Sequence, residues 1–363
     1  MFHRSLKKII TAFLIALLII SQTACTPQTQ PQHGESNDSF GEDWLLNTYC
    51  TIQVFGIVED APIREAFAYA REYENLLSRT VATSDIGKFN ASEQGCTVSD
   101  ETALLLCDCL YAQELTDGKF DVTVGSLTEL WNFSADEPRV PDADAIAEAL
   151  THVGNWGESS VEATKCSSKG TGSGYELSKT DPLLKLDLGA AAKGFIADRT
   201  AAFLRGKGAE RAIVNFGGNI VFIGSKEDGS AWNCGIEDPA EGGSDALIQD
   251  RGIVGVVACR PETEDGIVSV VTSGTYERCF EEDGVLYHHV LDPATGYPVE
   301  TDLLSATVIG EDSAWCDILS TSCLLLGSEK GLALVETQEG YEAVFILSDG
   351  SILTSSGADF TAN

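Results

Sequence analysis

The sequence predicts an α+β fold, a single large domain of mixed, largely antiparallel sheets layered with helices. Three observations carry that expectation. Short runs alternate apolar and polar residues with period two, while others repeat apolar residues at helical spacing. The two kinds are interspersed without the strict strand–helix alternation of a doubly wound sheet. No Pro/Gly-rich linker divides residues 44–363, so one domain with internal insertions is expected, long enough to bury a sizeable core.

Taken in order, residues 1–25 read as an export signal. Arg4, Lys7 and Lys8 precede the uncharged apolar run Ile9–Ile20, too short to span a membrane comfortably, and Ser-Gln-Thr-Ala-Cys25 follows. This resembles a bacterial lipoprotein signal, with Cys25 as the lipidated first residue; Gln22 stands where that signal usually has Leu. A cleaved secretory peptide and an uncleaved anchor are the alternatives. All three place the protein outside the cytoplasm, and the first anchors it to the outer face of the bacterial cell (inner) membrane. Residues 26–43, rich in Gln, Pro, Ser and Asn, are expected to form a disordered tether.

Trp44–Phe55 alternates as a strand does, and Ala61–Leu77 carries Ile63, Ala66, Phe67, Ala70, Tyr73 and Leu77 at helical spacing. Ser84-Asp85 can cap a short helix into Phe89, and Asp100 another over Glu101–Thr116 that ends at Asp117-Gly118. Asp142–Val153 is a further short helix, capped by Asp142 or Asp144. Val161–Thr164 and Tyr175–Ser178 are predicted to pair as a hairpin across a Ser/Gly-rich tip. A strand is expected to end on Asp187, with a corner at Gly189 and a helix that stops at Gly206-Lys207-Gly208. Strands follow at Ala212–Ile223, broken by Gly217-Gly218, and at Gly252–Ala258, with Glu237–Asp250 as an acidic surface insertion. Val268–Thr272, Val285–Leu291 and Ala306–Ile309 are further strands, Trp315–Leu326 is a helix, and Tyr341–Leu347 with Ser351–Thr354 close the chain as a hairpin.

Charge limits the partners. The chain has 23 Lys+Arg, three of them in the leader, against 56 Asp+Glu, for a formal net charge of −33. That excess excludes nucleic acid and anionic lipid headgroups as general partners. An anionic substrate must then be met by a local cation, which points to a divalent metal. The 11 cysteines have the spacing of small buried apolar residues rather than a disulfide framework, and the 5 histidines form no zinc pattern.

The segment Leu186–Gly218 sets a carboxylate, Asp187, beside the N–H groups of a helix start and a lysine in its first turn, Lys193. That combination can hold a phosphate and its metal. The bland alternative is an ordinary strand–helix–strand unit, since no GxGxxG or Walker pattern is present. Asp317 and Thr321 are four apart on one predicted helix, so their oxygens share a side, as a metal pair or as a cap or solvated pair. Asp121 and Asp187 are hydrogen-bond acceptors, and Lys193 is a point charge for a phosphate. His289 precedes a Pro-containing turn, Asp292-Pro293-Ala294-Thr295-Gly296, that is expected to hold Asp292 beside it. It is the best candidate general base, with a structural histidine as the alternative. The neighbouring His288 should face the other side of the strand. Tyr276-Glu277-Arg278 is left outside the site.

Five segments in order resemble one family. They are Phe120–Gly125 with Leu130–Phe133, Leu186–Gly218, Thr272–Arg278, His288–Pro298 and Asp317–Thr321. Together they are similar to the ApbE family, the FAD:protein FMN transferases, over about residues 44–327. The resemblance implies an ApbE-like, T-fold-type domain. It implies a metal, Mg²⁺ with Mn²⁺ possible, on the Ala190 carbonyl, the Asp317 carboxylate and the Thr321 hydroxyl. It implies FAD contacts at Leu46, Thr80, Lys119, Phe120, Asp121, Asp187, Lys193 and Leu291; Thr80 stands where the family usually has an aromatic residue. The implied activity is transfer of FMN from FAD to a Thr or Ser hydroxyl of an extracytoplasmic or membrane redox protein, with release of AMP. An FAD pyrophosphatase and a non-catalytic flavin-binding surface lipoprotein are the rival readings.

Overall fold

The computed structural model describes residues 38–56, 60–154, 174–239, 252–261 and 266–363. In chain order the strands are β1 (Ser39–Leu45), β2 (Thr48–Val54), β3 (Gly95–Val98), β4 (Tyr175–Ser178), β5 (Ala212–Phe216), β6 (Asn219–Ile223), β7 (Trp232–Glu237) and β8 (Ile253–Cys259). β9 (Ile267–Gly274), β10 (Cys279–Glu282), β11 (Val285–His288), β12 (Leu303–Gly310), β13 (Glu342–Leu347), β14 (Ile352–Thr354) and β15 (Phe360–Ala362) complete them. The helices are α1 (Ala61–Leu77), α2 (Asp85–Ala91), α3 (Asp100–Leu115), α4 (Gly125–Trp131), α5 (Ala143–Leu150), α6 (Ala192–Gly206), α7 (Ser313–Leu326) and α8 (Ser328–Glu336).

The predicted α+β class holds. An eight-stranded sheet runs β1-β2-β5-β6-β9-β12-β13-β14, and every pairing between neighbouring strands in it is antiparallel. Its two faces are covered differently. On one, Val214, Val221, Val271, Ala306, Val308 and Phe345 pack with Phe67 of α1, Ile196 of α6 and Ile318 of α7 in the main core. On the other, Phe222, Val268, Val270 and Val344 meet Trp232, Cys234 and Val257 of the smaller sheet β15-β8-β7. Burial on both faces explains why β9 and β12 read as nearly continuous apolar runs. A third, small core joins Leu127 and Trp131 of α4, Ile146 of α5 and Leu291, rimmed by Phe133, Phe280 and Tyr287.

The local signals were mostly obeyed. α1 spans the predicted residues and buries Ile63, Ala66, Phe67, Ala70 and Leu77. The Ser84 hydroxyl caps α2 by accepting from Gly87 N, and Asp117 and Gly118 both take positive φ after α3. Ser99, one residue before the expected cap, accepts from Thr102 N at the start of α3. No disulfide forms among the described residues, and six of the described cysteines are buried.

Several expectations are corrected. Strand β1 begins at Ser39, so residues 39–43, expected to belong to the tether, are strand instead. Trp44–Phe55 is not one strand: the chain reverses at Leu46-Asn47, both with φ of 56°, to give the β1–β2 hairpin. The segment before Asp187 makes only one parallel bridge, Val124 with Lys185, because Asn90 occupies the strand position beside it. Its side-chain amide takes Leu186 N and gives to Leu186 O, imitating a ladder. Tyr175–Ser178 pairs with β3; its expected partner Val161–Thr164 lies outside the described residues, as do residues 1–25 and residues 240–250 of the expected insertion. Short β15 and helix α8 carried no strong period and were not expected.

Candidate active site

A cavity of about 430 Å³ opens between the main core and the small one. Among the predicted residues, Leu46, Thr80, Phe120, Asp121, Asp187, Ala190, Lys193, His289, Leu291, Asp317 and Thr321 line it. Lys119 and Asp292 do not. They pair with each other, Lys119 Nζ lying 2.8 Å from Asp292 Oδ2, and the second carboxylate oxygen accepts from Ala294 N at 2.9 Å. Asp292 therefore holds its own turn and pairs with Lys119, outside the lining of the cavity that His289 faces.

Backbone pairing places the acidic groups. Asp187 N donates to Val122 O at 2.8 Å, which sets the Asp121 loop alongside the Asp187 segment. One Asp121 oxygen accepts from both Thr123 N and its hydroxyl at 2.7 Å, fixing the turn. Asp187 accepts from Gly189 N with Oδ1 and pairs through Oδ2 with Arg79 at 2.9 Å. The corner at residues 188–191 is then closed by Ala191 N and Ala192 N on Leu188 O.

The helix readings converge. Asp317 and Thr321, one turn apart on α7, both face the cavity. The Asp317 side chain is 1 % exposed; its Oδ2 accepts from Gly194 N at 3.0 Å, while Oδ1 lies 3.7 Å from Lys193 Nζ, too long for a hydrogen bond. Lys193 Nζ instead donates to Asn219 Oδ1 at 2.7 Å, so a buried asparagine at the β5–β6 turn aims the ammonium. Gly217 and Gly218 both take positive φ there, and a Cβ on Gly217 would lie 2.3 Å from the Thr48 hydroxyl oxygen. The Thr321 hydroxyl lies 3.2 Å from that of Ser273.

These donors fit a hard divalent cation. A buried carboxylate with one weakly engaged oxygen and a hydroxyl one turn on, in a cavity that Ala190 also lines, offer with its carbonyl an all-oxygen set of the kind Mg²⁺ takes. Among the described residues no group of three or more His, Cys, Asp or Glu gathers for a metal. The cation would depend on mixed oxygens around a single carboxylate.

His289 lies where β11 has ended, with its N–H donating to Arg278 O at 3.0 Å. Burial first, then the charges of Arg278, His288 and Lys193, push its imidazole down to about 3. It is neutral at physiological pH, and its Nδ1 is buried without a protein partner. His288 faces away as expected, with Nε2 3.2 Å from Val299 O. Glu277 and Arg278, set aside on sequence grounds, do line the cavity, while Tyr276 is buried.

Residues 46–345 match the ApbE family, a span that includes every predicted site residue. The chain belongs to the ApbE family. A FAD:protein FMN transferase of Treponema pallidum (strain Nichols) is 34% identical over 327 residues, covering 86% of this chain and 85% of the relative. Another, of Klebsiella pneumoniae (strain 342), is 35% identical over 300 residues, or 82% and 86%. Among solved structures, the ApbE protein from Thermotoga maritima MSB8 superposes with a TM-score of 0.72 at 30% identity, over 88% of this chain and 97% of that one.

Within this ApbE-family cavity, sequence reading missed Arg79, Asn219 and Ser273 as supports, along with Arg278 on the wall. Each acts across a long separation in the chain. The NFGGN run around Asn219 was read only as a turn, although an asparagine directly after two glycines was a usable signal.

Proposed function

We propose that this chain transfers FMN from FAD to a Ser or Thr hydroxyl of an acceptor protein, forming a phosphoester and releasing AMP. The observation that carries the reading is that Lys193, Asp317, Thr321, Ala190 and His289 all line one cavity, in a chain whose relatives are FAD:protein FMN transferases.

The residues supply the parts that such a transfer needs. Asp121 and Asp187 accept hydrogen bonds from hydroxyl and amino groups of the dinucleotide. Lys193, held by Asn219, gives a fixed positive charge to its diphosphate. Asp317, Thr321 and the Ala190 carbonyl would hold Mg²⁺ or Mn²⁺, which when bound draws charge from the diphosphate oxygens. The acceptor hydroxyl oxygen bonds to the FMN phosphorus, the bond from that phosphorus to the AMP oxygen breaks, and AMP leaves with the electron pair. His289 takes the hydroxyl proton. The incoming diphosphate offsets the positive charges of Arg278 and Lys193, which add to burial in depressing this imidazole, and so raises its basicity part of the way as substrate binds.

The test is mass spectrometry of a co-encoded exported flavoprotein after incubation with this protein, FAD and Mg²⁺. A gain of one FMN on a Ser or Thr is expected. FMN and AMP appearing at the same rate without acceptor would favour a pyrophosphatase, and FAD binding indifferent to chelator with no turnover would favour a flavin-storing lipoprotein. We also propose export with lipid attachment at Cys25, supported by the charge and apolar pattern of residues 1–25. Metabolic labelling with palmitate should mark the native chain and not Cys25→Ala; equal labelling of both would refute it.

A further inference from the structure

Helices α6 and α7 cap each other. An α-helix leaves its first N–H groups without internal partners, and side-chain oxygens normally take them up. The N-cap of α6 is Ala191, which has no side-chain oxygen to offer. Its Gly194 N–H is taken up from the other helix, by Asp317 Oδ2 at 3.0 Å. In return, Asp198 of α6 reaches the start of α7: Oδ1 accepts from Ser313 N at 3.1 Å and Oδ2 from Ala314 N at 2.9 Å. The helix's own N-cap, Asp312, takes only the next one, Trp315 N, at 2.7 Å.

The two contacts are one device because the helices touch backbone to backbone between them. A Cβ on Gly194 would fall 2.1 Å from Ser313 O and 2.8 Å from Ala314 Cα. Asp198 lies one turn beyond Gly194 on α6, and Asp317 one turn beyond Ser313 on α7. Each helix thus extends a carboxylate past the crossing to the other's N-terminus. Each helix N-terminus is met by carboxyl oxygens from the other helix, and the register of α7 on α6 is set at both sides of the contact.

The geometry points to Asp198 as a positioning residue for the active site, one that never touches substrate. By holding Ser313 and Ala314 it fixes how far α7 advances along α6, and so where Asp317 and Thr321 stand relative to Lys193 and Ala190. Burial and the nearby Asp312 carboxylate raise the Asp198 pKa well above the ordinary carboxylate range, so the position is costly for an acid and is kept for its two bonds.

The experiment compares Asp198→Ala with Asp312→Ala in the full-length protein. Both remove a cap from α7, but only the first cuts its tie to α6. The primary readout is hydrogen exchange at the Gly194 amide, whose own acceptor neither substitution touches. Asp198→Ala should speed that exchange at least about tenfold, and Asp312→Ala should leave it within about twofold of wild type. Asp198→Asn keeps one acceptor oxygen and should give a smaller increase in the same direction, which preserves the test if the alanine variant does not fold. Unchanged exchange at Gly194 in Asp198→Ala or Asp198→Asn, or an equal rise in Asp312→Ala, would overturn the assignment.

A second readout rests on the flavin-transfer reading: the Mg²⁺ concentration giving half-maximal FAD retention. Asp198→Ala should raise it by about 10–100-fold, the range for losing a partner that orients a metal ligand, and Asp312→Ala by less than about twofold. Wild-type FAD binding that ignores Mg²⁺ would end the metal reading while leaving the exchange result to decide the role of Asp198.

Discussion

Replacing Asp317 separates its two duties. Asp317→Asn keeps the shape and one oxygen for the Gly194 N–H but removes the charge. Asp317→Ala removes both and leaves a buried donor unpaired, which costs about 1–3 kcal/mol. For a domain larger than about 250 residues, each kcal/mol lowers Tm by about 1.5–2 °C, so the alanine variant should melt about 1.5–6 °C earlier and the asparagine variant within about 1 °C of wild type. Flavin transfer should behave differently. Both variants lose the only carboxylate among the three implied cation ligands, and both should lose transfer by at least about 100-fold, the upper end of what removing even a supporting partner of a metal ligand costs. Thermal melts paired with mass-detected flavinylation at several Mg²⁺ concentrations would measure the two effects. Asp317→Asn with transfer within about threefold of wild type would refute the cation role. Equal melting losses in both variants would refute the cap on α6.

Other tests address single contacts. Lys193→Met keeps the stem and removes the charge, and should weaken FAD binding at least about tenfold, or about 1.4 kcal/mol, by flavin fluorescence. Thr80→Tyr adds an aromatic face to the cavity wall and should tighten FAD binding by about 0.5–1.5 kcal/mol in the same titration, with no change marking a flavin bound elsewhere. The unfolded chain takes up a proton at His289 near pH 6.5, and the folded one only near 3. Stability should therefore fall as pH drops below about 6.5, by up to about 1.4 kcal/mol per pH unit, and His289→Gln should flatten that part of a Tm–pH curve. Leu46 holds φ of 56° with its N–H on Glu74. Leu46→Gly should relieve about 1 kcal/mol of strain but give up the packing of Leu46 against the main core, so the informative readout is FAD binding, which should weaken; unchanged binding would remove Leu46 from the site.

What was legible in the sequence, and what was not, follows from chain distance. The helices announced themselves because their apolar spacing and caps lie within a few residues, as in α1 and at Ser84. Asp317 and Thr321 shared a helix face by periodicity alone. The β1–β2 hairpin was hidden because its turn is Leu-Asn, without the Asn-Gly that signals two left-handed residues. The pairing of Asp292 with Lys119 was hidden because the two lie 173 residues apart in the chain. Asn90 beside Leu186, Asn219 on Lys193 and Asp198 on α7 are likewise contacts that only the assembled sheet and helices bring about.

The small aromatic core has its own consequence. Trp131 stacks on Phe133 at 5.4 Å, donates through its indole N–H to Gly296 O, and shares no buried residue with the main core. Phe133 and Leu291 of this patch form one side of the cavity, whereas Asp317 belongs to a helix sunk in the large core. The cavity thus has a first wall set in the large core, with Asp317, and a second in the small aromatic core, whose local opening need not melt the sheet. A bulky dinucleotide is expected to enter and leave through the second, and amides of Leu127–Trp131 exchanging faster than those of α7 would mark it as the door.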